Sequence, residues 1–300
     1  MIVPGFSNRY PKGDDDYLWS YADCNPRPDD PVIPGSDRDV MPGPDRASLL
    51  IETCCTTLDE ALSAQSRSAG RIELCADLSV GGLTPPRDLI REVVASLTIP
   101  VNVLIRPAVS GCSLQGRRAP RDPSQASLGP SLLQCRGWHG PWREHPETAG
   151  TDVRWGFSAA DFVYDEAALQ QMMDDIAFCK SVGVAGIVVG ALTPEGAIDL
   201  PAMRRLVAAA RPLPVTFHRA FDVSTSDPFT ALDEIAALGC ARLLSSGRKP
   251  TAWEGRDLLA AMVGRVPSLV IMPGSGITAA NLSDLAAVTN AREFHGTRIP

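Results

Sequence analysis

From residue 48 onward, short apolar segments alternate with longer amphipathic segments along the chain. The segments SLLIETC, RIELCA and VNVLIRP are short and mostly apolar, which predicts strands. The segments PPRDLIREVVASL and DEAALQQMMDDIAFCKSVG instead repeat apolar residues at helical spacing and predict amphipathic helices. Continued to the end of the chain, the pattern gives eight strand candidates that alternate with seven helix candidates.

This alternation indicates the α/β class with a parallel sheet, because each parallel pair of strands needs a crossover helix. Eight units in one domain predict a closed TIM-type (β/α)8 barrel. A doubly wound sheet is the structural alternative, but no Gly-rich dinucleotide loop follows the first strand. The pattern ends after its eighth strand, so we expect the barrel to lack the eighth helix.

Two segments interrupt the regularity. Residues 1–46 are rich in Pro, Asp, Gly and Arg without any period, and we predict a disordered N-terminal tail there. Residues 111–158 also lack a period, and a loop of that length is uncommon in a compact domain. We therefore predict a barrel domain over residues 47–300 that carries a long irregular insert after its third strand.

Composition and charge narrow the range of partners and compartments. The formal net charge is -7 and no cluster of Lys and Arg forms a basic stripe, so we expect no nucleic-acid partner. No apolar run approaches the roughly 20 residues that a membrane span needs, and we expect no membrane partner. The N-terminal segment lacks the features of a secretory signal. The eight cysteines are therefore expected to be reduced thiols in a cytoplasmic protein.

Polar residues fall late in the predicted strands, where a barrel has its mouth. The first two strands share the pattern Glu-x-Cys, formed by Glu52 with Cys54 and by Glu73 with Cys75. Residues two apart in a strand lie on the same face, and a carboxylate packed against the helix layer is costly to bury. We therefore expect all four side chains to point into the barrel near its C-terminal mouth.

The same position late in a strand or just after it marks further candidates for a polar active site. These are Arg106, His218, Arg219, Asp222, Glu293 and His295. Because His218 and Arg219 have opposite parity, both serve the site only if the fifth strand ends there. Structural interpretations stay open: Arg106 as an ion pair with Glu52 or Glu73, and His218 as a hydrogen-bonded core residue. Either cysteine of the pair can also be a small core residue.

A second signal follows the seventh strand, in the segment MPGSGIT. A Gly-rich turn that enters a helix exposes backbone N–H groups that suit an anion. Phosphate sites of barrels commonly lie after strands seven and eight. Gly274, Ser275 and Gly276 are thus candidates for substrate binding, with a tight turn as the structural alternative.

The motifs IELC, GGLTP, IRP, PVTFHRAFD, SSG, MPGSGI and EFH occur in this order, and together they resemble the CutC copper-homeostasis family. The resemblance implies a TIM-type barrel, a cytoplasmic protein, a homo-oligomer and a role in copper handling. It also implies that Cys54 and Cys75 bind Cu(I), in keeping with the preference of soft thiolates for this ion. The family segment that begins at Arg106 is interrupted here by the insert and resumes at Asp161.

Two functions from different classes follow. The first is copper homeostasis, with Cu(I) bound by the paired cysteines as ligands. The alternative is a barrel enzyme of unknown reaction that acts on a small anionic, possibly phosphorylated, substrate at the C-terminal mouth. In that case Glu52, Glu73 or His218 supplies the acid or base, and Arg106 and Arg219 hold the anion.

Overall fold

The structure is a computed structural model and describes residues 49–108 and 157–297. The predicted tail at residues 1–46 lies outside the described residues. So does the predicted insert at residues 111–158, apart from its last two residues. These two predictions therefore stay predictions.

Eight parallel strands form one sheet in the order β7-β6-β5-β4-β3-β2-β1-β8. A parallel bridge between Gly274 and His295 joins the two outer strands and closes the sheet into a barrel. The predicted TIM-type fold is thus confirmed, and the doubly wound alternative is wrong. The strands are β1 Leu50–Cys55, β2 Arg71–Leu74, β3 Val101–Leu104, β4 Gly186–Val189, β5 Val215–Phe217, β6 Arg242–Ser245, β7 Val270–Pro273 and β8 Glu293–Gly296.

Seven α-helices alternate with these strands in the described part of the chain. They are α1 Leu58–Ser66, α2 Arg87–Ser96, α3 Glu166–Val182, α4 Leu200–Ala210, α5 Pro228–Ala237, α6 Arg256–Met262 and α7 Leu282–Thr289. Side chains of Asp165, Asp199 and Asp227 accept backbone N–H groups at the starts of α3, α4 and α5, which fixes where these helices begin. The seven helices of the described residues agree with the seven that the sequence predicts, and Thr297 is the last described residue.

The first helix ends earlier than its sequence indicates. The segment TLDEALSAQSRSAG predicts a helix closed by Gly70, but α1 ends at Ser66. Gly70 instead begins the approach to β2, where its N–H donates to the carbonyl of Ile51.

Among the described residues, no helix combines the length and the apolar character that a bilayer crossing requires.

Most of the apolar core lies between the barrel and its helices, whereas the barrel interior holds a separate small cluster. This interior cluster consists of Cys54, Cys75, Leu104 and Val188. Its members come from β1, the end of β2, β3 and β4, and all point inward because side chains alternate between the two faces of a strand. The interior is therefore apolar where these four side chains meet, with charged groups below and beside them.

A buried network of ion pairs occupies the barrel near the starts of the strands. Arg71, the first residue of β2, pairs with Glu52 and with Glu293, the latter at 2.6 Å. Arg242, the first residue of β6, also donates to Glu293, at 2.7 Å. The side-chain amide of Asn102 donates to the carboxylate of Glu52 at 2.9 Å. Contacts among five different strands are possible only inside the barrel, so this network fills its N-terminal half.

The network changes the expected place of two candidate residues. Glu52 points inward as expected and is 0% exposed, but it does not line the pocket at the mouth, and neither does Glu293. The reason is the register between β1 and β2, which pairs Glu52 with Arg71 and Cys54 with Glu73. The expectation that Glu52 and Glu293 lie at the mouth is therefore wrong, and both are bound to arginines one level deeper.

Arg71→Met tests whether this network supports the fold. The variant leaves two buried carboxylates without their shared cation, so we expect the free energy of unfolding to fall by about 3–5 kcal/mol. Urea denaturation measures the loss. The matched control is Arg205→Met, which breaks an exposed pair with Glu166 and should change stability little. Equal losses in both variants would contradict a structural role of the network.

Candidate functional site

A cavity of about 550 Å³ lies at the C-terminal ends of the strands. Seven of the polar and cysteine candidates, from β1, β2, β8 and the residues after β2, β3 and β5, reach its walls. They are Cys54, Glu73, Cys75, Arg106, His218, Arg219 and His295. The structure thus brings these seven side chains together at the C-terminal end of the barrel, and their roles stay predictions.

Cys54 and Cys75 face each other inside this cavity. Their sulfur atoms lie 3.1 Å apart, both thiols are free, and the residues are 8% and 1% exposed. The Cys75 sulfur also lies 3.7 Å from the carbonyl oxygen of Cys55, and either thiol can be the donor in the contact between the two sulfurs. This hydrogen bond to Cys75, together with burial and the nearby Glu73 carboxylate, raises the pKa of the Cys54 thiol well above its usual value. Cys54 therefore keeps its proton at neutral pH in the metal-free protein.

Glu73 and His295 form a second pair beside the thiols. Nε2 of His295 lies 2.5 Å from a carboxylate oxygen of Glu73. Burial lowers the pKa of His295, but the Glu73 carboxylate raises it and the net shift is upward. Together with the sulfur of Cys54, these two groups place three potential metal ligands within 4.8 Å of one another.

His218 lies on the opposite wall as a neutral hydrogen-bond donor. Strand β5 ends at Phe217 and a 3-10 turn, Arg219–Val223, follows, so His218 is the residue at which the backbone changes direction. Its Nδ1 accepts the N–H of Ala220 at 3.2 Å, which places the ring proton on Nε2. Burial, aided by the charge of Arg106, lowers the pKa of His218 to about 3. Nε2 has no hydrogen-bond partner within the described part of the chain.

Arg106 is held by backbone carbonyls rather than by a carboxylate. Its Nη1 donates to the carbonyls of Val80 and Gly82 at 2.8 and 2.9 Å, and its guanidinium lies 4.8 Å from the ring centre of Phe162. Nε is buried and has no partner among residues 49–108 and 157–297. The alternative of an ion pair between Arg106 and a barrel glutamate is not observed among the described residues, because Glu52 binds Arg71 and Glu73 binds His295.

Asp222 has a structural environment although it was expected in the active site. Its carboxylate accepts from the hydroxyls of Ser245 and Ser246 at 2.6 and 2.9 Å and from Arg219 at 2.9 Å. Backbone N–H groups of Ser246 and Arg248 add further bonds. These donors tie Asp222 to the loop after β6. Arg219 itself does line the cavity.

The Gly-rich turn after β7 reaches the same cavity in part. Ser275 and Gly276 line it, and both have left-handed backbone conformations with φ of 81° and 68°. Gly274 does not line the cavity, and a side chain there would meet Leu244 at 2.5 Å. The turn is thus close enough to contribute backbone N–H groups to a ligand, and its anion-binding role stays a prediction.

Comparison with known proteins identifies the family. A family model described as the CutC family matches residues 49–112 and 157–300. A CutC family protein of Xanthomonas campestris pv. campestris (strain 8004) is 38% identical over 248 residues, which cover 82% of each chain. The chain belongs to the CutC family. A CutC family protein of Parabacteroides distasonis is 37% identical over 248 residues, or 82% of this chain and 81% of its own.

Solved structures place this CutC protein among TIM-type barrels. The structure named for the copper homeostasis protein CutC of Streptococcus agalactiae is 27% identical, with a TM-score of 0.64 over 84% of this chain and 100% of its own. A structure named for a deoxyribose-phosphate aldolase of Coccidioides immitis is 10% identical, with a TM-score of 0.50 over 85% and 84%. The second likeness shows the fold alone.

Sequence reasoning missed several residues of the CutC site. Arg71 shares its parity with Glu73, so the argument that turns Glu73 inward applies equally to Arg71 and was a usable signal. Phe157 and Phe162 lie against the guanidinium groups of Arg219 and Arg106. They come from the irregular segment and its end, where the sequence has no period to indicate their position.

Gly190→Ala tests how His218 is positioned in this CutC protein. A methyl group at residue 190 would meet the imidazole ring at 2.5 Å, so we expect a loss of about 1–3 kcal/mol of stability from overpacking. A double-mutant cycle with His218→Ala, followed by urea denaturation, measures the coupling. Removal of the ring should recover most of the loss, and strictly additive effects would show that Gly190 does not hold the ring.

Proposed function

We propose that this CutC protein takes part in copper homeostasis by binding Cu(I) between Cys54 and Cys75. The contact between their two sulfur atoms at 3.1 Å, in a site open to the barrel mouth, is the observation that carries the proposal. Thiolates are soft ligands and select Cu(I) over harder cations. The relative from Streptococcus agalactiae is named as a copper homeostasis protein, which is consistent with this assignment.

The thiol pair must open slightly to hold an ion. Metal–sulfur bonds of zinc sites are about 2.3 Å long, so sulfurs that flank one metal stand further apart than 3.1 Å. The apolar neighbours of the pair, Leu104 and Val188, offer no competing ligand. Copper would be the cargo of this site. The thiols would lose their protons on binding it, because the thiolate is the metal-binding form.

An anaerobic competition titration of the reduced protein with Cu(I) tests the proposal. We expect one tightly bound equivalent in the native protein and its loss in the variant Cys54→Ser/Cys75→Ser, because a hydroxyl is a poor ligand for a soft ion. The matched control is Cys55→Ala, which removes the neighbouring thiol that packs in the outer core instead of the cavity. Unchanged binding in the double variant, or loss in the control, would refute the cysteine pair as the site.

A second candidate function is a reaction on a small anionic substrate in the same cavity. It is favoured by two buried donors that lack partners within the described residues, Nε2 of His218 and Nε of Arg106. A buried polar group without a partner costs about 1–3 kcal/mol, and an oxyanion placed between a neutral imidazole N–H and a guanidinium would satisfy both groups. The proposed ligand is a small carboxylate or phosphate, and its reaction is unassigned.

Thermal unfolding with a panel of inorganic phosphate and small carboxylates tests this candidate. A ligand present at 100 times its Kd should stabilise the protein by about 2.7 kcal/mol. Arg106→Lys should abolish the effect, because lysine keeps the charge but lacks the planar edge that binds an oxyanion. Arg87→Lys, on the exposed surface, serves as the control. Stabilisation that survives in Arg106→Lys would exclude Arg106 as the anion ligand.

A further inference from the structure

We propose that the cavity has a second metal-binding mode, in which Cys54, Glu73 and His295 hold a divalent transition-metal ion such as Zn²⁺. This inference rests on the proposed function only in taking Cys54 as a metal ligand. It differs in the ion and in the other ligands. Cys75, which completes the proposed Cu(I) pair, is not required.

The geometry of the three strands carries the proposal. Cys54 and Glu73 are register partners on β1 and β2, and His295 lies on β8, the other neighbour of β1. One ligand atom from each residue falls within 4.8 Å of the other two. Because all three groups project from paired strands and not from loops, the barrel holds them near one point without a ligand to organise them.

The hydrogen bond between Glu73 and His295 marks the place that an ion would take. A carboxylate oxygen of Glu73 and Nε2 of His295 lie 2.5 Å apart, with the hydrogen-bonding proton between them. A metal ion that replaces this proton would bind both atoms, and the sulfur of Cys54 would supply the third ligand. Catalytic zinc sites usually have three protein ligands and a fourth position that is open to water. Here the cavity provides that opening.

The chemistry of the ligands separates the two modes. Imidazole and carboxylate suit zinc and similar divalent ions, whereas two thiolates suit Cu(I). The charges of the ligands favour the same assignment, because one thiolate and one carboxylate together neutralise a divalent cation. A pair of thiolates around Cu(I) keeps one negative charge, next to the carboxylate of Glu73. Since Cys54 belongs to both sets, the two ions are expected to exclude each other.

The test is a crossed pair of variants titrated with each metal. For Zn²⁺, competition with a chromophoric chelator should give one equivalent in the native protein. His295→Gln should lower the Zn²⁺ affinity by at least about 100-fold, since even loss of an outer-shell partner costs 10–100-fold in metal affinity. Its Cu(I) affinity should stay within about threefold of the native value. Cys75→Ala should lose Cu(I) binding and keep Zn²⁺ binding. Circular dichroism establishes that both variants are folded.

Cobalt gives an independent reading of the ligands. Co²⁺ bound in place of Zn²⁺ should show a thiolate charge-transfer band in the native protein and in Cys75→Ala, and none in Cys54→Ser. Zn²⁺ binding that survives in His295→Gln, or that is lost in Cys75→Ala, would overturn the inference. Zn²⁺ binding with the expected dependence but without any Cu(I) binding would refute the proposed function and leave this inference standing.

Discussion

The parallel register between β1 and β2 is the constraint on which the interior of this barrel depends. It pairs Glu52 with Arg71 and, two residues further along the strands, Cys54 with Glu73. Because inward residues recur at every second position, these two pairings stack into two levels of different chemistry. The lower level is neutralised internally by arginines, and the upper level contains thiols, a carboxylate and an imidazole that face a cavity. A shift of β2 by one residue would turn Arg71 and Glu73 into the helix layer and remove both pairings.

The lower level gives the upper level its electrostatic setting. Arg71 and Arg242 bind Glu293 and together lower the pKa of its carboxyl, even though burial alone would raise it. The two arginines form ion pairs within this network, whereas Glu73 pairs with His295. The acidic wall of the cavity therefore holds the carboxylate of Glu73 in contact with the imidazole of His295.

The sequence predicted the fold well because its signal is repeated eight times, and each repeat confirms the others. It predicted the end of the barrel that carries the polar groups, because position late in a strand is visible in the sequence. It could not predict how deep in the barrel an inward side chain lies. Parity assigns Glu52 to the interior, but the register with a neighbouring strand decides whether Glu52 meets an arginine or a cavity. Asp222 was misjudged for a related reason, since the serines that bind it come from the next βα unit.

The cavity combines two walls that suit opposite charges. Cys54, Glu73 and His295 on β1, β2 and β8 offer soft or anionic ligands, while Arg106 and His218 after β3 and β5 offer N–H donors only. The proposed Cu(I) site uses the first wall and the proposed anion site uses the second, so neither explains every polar residue of the cavity alone. A bound cation on one side and a small oxyanion on the other would satisfy both walls and the unpartnered donors together. The two walls also differ in how the fold holds them. The strand-borne ligands of the cation wall are fixed by backbone pairing, whereas Arg106 and His218 follow the ends of their strands.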